Sequence, residues 1–259
     1  MKSHIPISAV VLLLSMSYCL SFAQEDVTII SPTSEAAEGL DLEAVSELFK
    51  DSEDLEAFEK ALNDPETGVN NLDLDENGEV DFIRVVEEVA DDTHVIILQV
   101  PLGEDEYQDV ATIEVEKTGD EEYNMQVHGN EDLYGPDYYM APAVVRIHTW
   151  PIIVRIFRPA YRPYRSGYYW GYYPRWWKRY RPVTMTVYRT RTNRFRTRST
   201  FVVTRKPRVR TVHKVKYKPR SSTLVIKKTK VVRPARKVVK PKAKTRKAVK
   251  KTAARRKKK

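Results

Sequence analysis

All 35 Asp and Glu residues of this 259-residue chain lie at or before Asp137, and the 122 residues from Tyr138 onward contain none. Residues 24–141 hold those acids against Lys50, Lys60, Arg84 and Lys117, a net −31, whereas residues 142–259 hold 40 Lys and Arg, a net +40. The formal whole-chain charge of +10 conceals both blocks. Opposed blocks of this size either stay expanded by self-repulsion or neutralise against charge of the other sign, which points to binding and assembly rather than catalysis.

The N-terminus reads as a secretory signal peptide over residues 1–23: Lys2 opens it, residues 7–20 are largely apolar, and Ser21-Phe22-Ala23 offers small residues for cleavage after Ala23. The apolar run falls short of the ~20 residues a membrane-spanning helix needs. A lipid-anchor reading would use Cys19, but Tyr18 stands where such motifs carry Gly or Ala. Cys19 is the only cysteine, so cleavage leaves no disulfide, thiol chemistry or Cys-ligated zinc. The best later span candidate, residues 143–157, is interrupted by Arg146, His148, Pro151 and Arg155, and a charge at mid-bilayer costs at least ~2.5 kcal/mol. The expectation is a secreted or periplasmic protein, associated with the envelope, with no spanning segment in the mature chain.

Residues 24–39 read as a polar linker. Leu42, Val45, Leu48 and Phe49, then Leu55, Phe58, Ala61 and Leu62, recur at helical spacing; the phase slips across residues 50–54, where Asp51 or Ser52 can cap a second helix, and Asn63-Asp64-Pro65 ends it. From Phe82 the period becomes two, over residues 82–87, 93–101, 110–116 and 123–127, with short polar connections that favour an antiparallel meander. Residues 40–141 are therefore expected to form a small α+β domain of two short helices and roughly four strands.

Beyond Gly135-Pro136, residues 143–157 either add a strand or lie on the sheet surface. Residues 142–182 form an aromatic, Arg- and Pro-rich segment, and residues 183–259 a basic low-complexity tail. Like-charge repulsion and thin apolar content predict that this C-terminal region is largely disordered in isolation.

One motif carries coordination chemistry. Asp73, Asp75, Asn77, Glu79 and Asp81 occupy positions 1, 3, 5, 7 and 9 of a loop with Gly78 at the sharp turn, a spacing that curls hard oxygen donors around a cation. These nine residues resemble EF-hand and related DxDxDG calcium loops, which implies weak calcium binding, roughly 0.1–1 mM. Position 12, a bidentate Glu in the EF-hand pattern, is Arg84 here, so the shorter loops that end at Asp81 and run into a strand are the closer match. The competing reading is a solvated turn, because Asn77-Gly78 between apolar residues is itself a hairpin signal.

No enzyme is read from the sequence. The five histidines are isolated, no GxSxG, P-loop or GxGxxG occurs, and His94 on a strand is read as a satisfied histidine. In the basic half, Tyr168, Tyr169, Trp170, Tyr172, Tyr173, Trp176 and Trp177 lie among Arg162, Arg165, Arg175, Lys178, Arg179 and Arg181, a mixture that stacks on rings while neutralising negative charge. The last twenty residues resemble a linker-histone tail in composition only. The candidate partners are lipopolysaccharide, anionic lipid, acidic polysaccharide or extracellular DNA, bound largely by counterion release. The alternative is a structural protein that self-associates through its oppositely charged halves, at close range because the screening length is ~8 Å at physiological salt.

The whole layout of signal peptide, acidic DxDxNG domain, WGYYPRWW block and basic tail resembles secreted or periplasmic proteins of Gram-negative bacteria that carry no assigned activity. That resemblance implies location rather than chemistry.

Overall fold

The computed structural model describes residues 35–143, 146–212, 215 and 217–232. The expected signal peptide and the last 27 residues of the tail lie outside that set.

A one-turn helix, Glu35–Glu38, stands at the end of the stretch expected to be a linker and buries Ala37; two amphipathic helices follow. Helix α1 (Leu42–Asp51) starts at Asp41, whose carboxylate accepts from the amides of Glu43 at 3.0 Å and Ala44 at 3.4 Å. Helix α2 (Leu55–Leu62) is capped by Asp54, through Ala57 N at 2.9 Å. The expected cap at Asp51 or Ser52 is thus displaced, because Ser52 closes α1 instead, its hydroxyl donating to Leu48 O. Asn63 ends α2 as expected. Phe49 and Phe58 meet edge to face at 5.4 Å across the two helices, a geometry worth about 0.5–1.5 kcal/mol beyond burial.

The meander follows: β1 (Arg84–Ala90), β2 (Thr93–Pro101), β3 (Tyr107–Lys117), β4 (Tyr123–Gly129) and β5 (Tyr139–Pro142), each antiparallel to the one before. The sheet then extends beyond the four strands read from the sequence. Residues 143–157 add no strand; they form a 3-10 turn and helix α3 (Pro151–Ile156), which buries Ile152, Ile153 and Ile156. The basic half contributes helix α4 (Met185–Arg196), strand β6 (Phe201–Thr204) and helix α5 (Thr223–Val232). β6 pairs with β5 and completes the sheet order β1-β2-β3-β4-β5-β6. The fold class is α+β.

Helix α1 packs on β4, β6 and α4, and α2 on β1. Tyr188 of α4, fully buried, donates its hydroxyl to Val69 O at 2.8 Å and accepts from Asp41 N at 2.7 Å, tying the basic half to the start of α1. On another face of the sheet, Val215 joins Val86, Val95 and Ile97 in a second apolar cluster, flanked by Val212 and Tyr217. Strand β1 would leave an open edge, the usual starting point for aggregation. Residues 164–166 close it: Glu87 N donates to Tyr164 O at 2.8 Å and Ser166 N to Val85 O at 2.9 Å.

The disorder expected of the basic half concerns that segment by itself. On the domain, residues 146–212 and 217–232 are laid down as helices, strand and strand-edge cover, because the domain supplies apolar surface and carboxylates that the segment lacks. Among the described residues no helix is long and apolar enough to cross a membrane.

Candidate functional site

The two motifs picked out of the sequence, about a hundred residues apart, dock side by side. Val80 N donates to Tyr180 O at 2.8 Å, and Arg179 pairs with Glu79 at 2.8 Å. Phe82, directly after the acidic loop, is the hub: Tyr168, Tyr173, Trp176 and Trp177 approach its ring at 5.3–6.3 Å.

Within the loop, Asp73 accepts from the amides of Asn77 and Gly78 at 3.0 Å each, and Asp75 from Asn77 N at 3.1 Å and Asn77 Nδ2 at 2.9 Å. Asn77 Oδ1 accepts from Glu79 N at 2.8 Å, and Asp81 from Leu74 N at 2.5 Å. Glu76 and Gly78 take positive φ, 62° and 82°, to make the turn. Asp73, Asp75 and Asn77 are therefore gathered in one turn, while Glu79 is drawn to Arg179. Among the described residues, no three of His, Cys, Asp and Glu form a group able to hold a metal ion.

From the Phe82 hub the chain runs out into a tight turn. Tyr169 and Tyr172 form an antiparallel bridge and stack at 5.2 Å with an interplanar angle of 28°. Gly171 reverses the chain at φ 80°. Tyr169, Trp170, Tyr172 and Trp176 are 51, 50, 54 and 40% exposed, although aromatic rings of this size normally bury. Burial in the cluster raises the Tyr173 hydroxyl pKa, so this ring stays neutral.

The ten residues expected to bind polyanions separate into two groups. Arg162, Arg175, Lys178 and Arg181 are exposed and form no ion pair among the described residues; in sequence they bracket the exposed rings of Tyr169, Trp170 and Trp176. Partners within the fold are held by Arg165 with Glu88, Arg179 with Glu79, Trp177 with Phe82 and Tyr173, and also by the half-exposed Trp176, with Phe82 and Lys60. Phe82 was missed, because nothing in the local pattern marks a Phe at the start of an expected strand as a hub; Tyr172 was part of the aromatic run read from the sequence.

Sequence reasoning also missed where the domain's acids go. Glu59 accepts from Val85 N at 2.6 Å, Ser166 Oγ at 3.1 Å and Tyr164 OH at 3.4 Å. Glu87 accepts from Tyr161 OH at 2.6 Å and Tyr164 N at 2.7 Å, and lies 2.6 Å from His94 Nδ1. Asp109 takes Gln99 Nε2, Tyr217 OH and Arg220 N at 2.6–2.9 Å. All three carboxylates are buried, and most of these donors are neutral groups of the basic half. The Lys/Arg pairs between the halves, such as Arg189 with Glu38 and Arg198 with Asp51, lie at the exposed surface, where each contributes about 0.2–1 kcal/mol. His94, buried and packed at 4.4 Å from Phe157, is a satisfied histidine.

No protein-family model, curated protein or solved structure matches this chain. An exposed stacked turn, fixed to a buried hub and flanked by unpaired cations, can lie flat against rings while neutralising negative charge nearby.

Proposed function

We propose that this is an exported, non-enzymatic binding protein whose aromatic turn and flanking cations hold an anionic polymer carrying rings, with the basic tail adding sequence-independent attraction. The observation that carries the reading is a single segment in which four exposed aromatic rings, Tyr169, Trp170, Tyr172 and Trp176, alternate in sequence with the exposed Arg162, Arg175, Lys178 and Arg181, none of which has a carboxylate partner among the described residues. Exposed rings of that size are costly to leave in water, and stacking on a nucleic-acid base contributes about 1–3 kcal/mol per base. The export element rests on the N-terminal pattern alone.

Titration of the full chain with lipopolysaccharide and with single-stranded DNA across a salt series tests it. A Trp170→Ala, Tyr172→Ala double variant should weaken binding at least tenfold with an unchanged salt slope. Arg175→Gln, Lys178→Gln should flatten the slope, because each lost cation releases fewer counterions. Unaltered affinity in the aromatic variant would reduce the protein to a plain polycation.

Calcium at residues 73–81 is proposed alongside. Its support is that Asp73, Asp75 and Asn77 already lie in one turn beside the aromatic surface. The alternative of self-assembly through opposite halves finds its support in the same contacts, which here pair the halves within one chain.

A further inference from the structure

A cleft of about 450 Å³ opens where residues 217–220 cross the first three strands. Strand register builds its floor. Arg84 faces Gln99, and Gln99 faces Asp109, so one row crosses β1, β2 and β3; Val86 with Ile97 forms the next row, and Tyr107 stands two residues from Asp109. The wall is pinned at both ends of one residue: Arg220 N donates to Asp109 Oδ2 at 2.8 Å, and Asp109 N donates to Arg220 O at 2.9 Å.

The charges in this cleft are unequal. Arg84, Arg165, Lys218 and Arg220 line it against only Glu88 and Asp109, a surplus of two positive charges. Arg165 is taken by Glu88, and the Asp109 carboxylate by Gln99, Tyr217 and the Arg220 amide. Arg84 and Arg220 hold their guanidinium carbons 5.5 and 5.4 Å from the Tyr107 ring, which brings two like charges to one small surface. Arg84 spends one nitrogen on Ser166 O at 3.1 Å and also interacts with the Tyr107 hydroxyl and, through charge, with the buried Glu59, yet its Nε is buried with no hydrogen-bond partner among the described residues. A buried charged donor left unpaired costs more than the roughly 1–3 kcal/mol of a neutral one. Converging cations with an unsatisfied donor call for an anion.

We propose that this cleft binds a phosphomonoester, its phosphate held by Arg84, Lys218 and Arg220 and its organic part against Tyr107, Val86 and Ile97. A phosphate monoester carries about −1.5 to −2 near neutral pH and three acceptor oxygens, which matches the twofold surplus and the forked guanidinium donors. A carboxylate brings a single charge and leaves one cation uncompensated. The volume lies within the ordinary range of small-ligand sites and leaves room for more than the phosphate. The inference does not depend on the polymer-binding reading, since the two surfaces use different cations.

Calorimetric titration of the full chain with phenyl phosphate, at near-neutral pH and physiological salt, tests it. One-site binding is expected, with benzoate at least tenfold weaker. Arg220→Gln and Lys218→Gln should each lower affinity roughly tenfold, the scale of one charge-assisted hydrogen bond. Both side chains belong to exposed residues, so both variants should melt with the wild type; should Arg220→Gln lose its fold, Lys218→Gln carries the test. Arg175→Gln, Lys178→Gln on the aromatic turn should leave phenyl phosphate affinity unchanged. Affinity should also fall as pH drops below about 6 and the phosphate takes up its second proton. The proposal is overturned by absence of binding, by equal affinity for benzoate, or by sensitivity to the turn variant with none to Lys218→Gln.

Discussion

The hydroxyl of Tyr161 donates to Glu87 Oε2 at 2.6 Å, across 74 residues of chain and across the charge boundary at Asp137. This bond typifies how the halves join: a buried acid of the meander is satisfied by a neutral group of the basic segment. Tyr161→Phe removes the donor and leaves Glu87 Oε2 with only the Tyr164 amide. The expected cost is about 1–3 kcal/mol, or roughly 2–12 °C in melting temperature for a chain of this size, read by thermal denaturation. An unchanged melting temperature would mean that Glu87 does not depend on this donor.

Because Glu59, Glu87 and Asp109 all draw on residues 161–220, the acidic half should not fold alone. Residues 24–141 expressed by themselves are expected to lack a cooperative melting transition and a native near-ultraviolet circular dichroism signal. Adding residues 142–259 in trans at low salt should restore both. A cooperative transition in the isolated half, at the full-chain temperature, would contradict the interleaved fold.

Burial pushes the Glu59 carboxyl from its ordinary 4.5 up to about 7, against the hydrogen bonds from Val85, Ser166 and Tyr164. Between those values the folded chain holds a proton that the unfolded chain has lost, so the contribution is full below pH 4.5 and disappears as pH rises through 7. The effect is at most about 3 kcal/mol, roughly 6–12 °C. Asp109 is shifted upward by burial in the same sense. Melting temperature should fall between pH 5 and pH 8, and Glu59→Gln should fall less steeply.

Gly171 turns the aromatic tip at φ 80°, with nothing within 4 Å of where a Cβ would stand. Gly171→Ala therefore costs only backbone strain, about 1–2 kcal/mol, which the local turn can shed by opening. Polymer affinity should drop while global melting hardly moves. Gly171→Asn, whose side chain tolerates this backbone region, should retain most binding.

Calcium added to the full chain should release or absorb heat in the roughly 0.1–1 mM range and raise the melting temperature. Asp73→Ala, Asp75→Ala should abolish both responses. Equal heats in the two proteins would leave residues 73–81 as a turn closed on its own amides.

The sequence by itself determined the charge boundary, the pair of capped helices, the antiparallel meander and the aromatic run, because capping residues, apolar period and composition act over a few residues. It did not place Asp54 as the second cap, helix α3 where a strand or surface segment was expected, or β6 at the sheet edge. Only the tertiary structure decided which acids are buried and what satisfies them. Composition suggested neutralisation by Lys and Arg, and buried Glu47 does keep Lys50 at 3.0 Å, yet Glu59, Glu87 and Asp109 take mainly Tyr, Ser, Gln and backbone donors, since bringing a second full charge out of water adds a desolvation penalty that a neutral donor largely avoids. The cleft at Tyr107 was equally illegible: Arg84 and Arg220 are 136 positions apart, and only the register of β1 through β3 brings them to one ring.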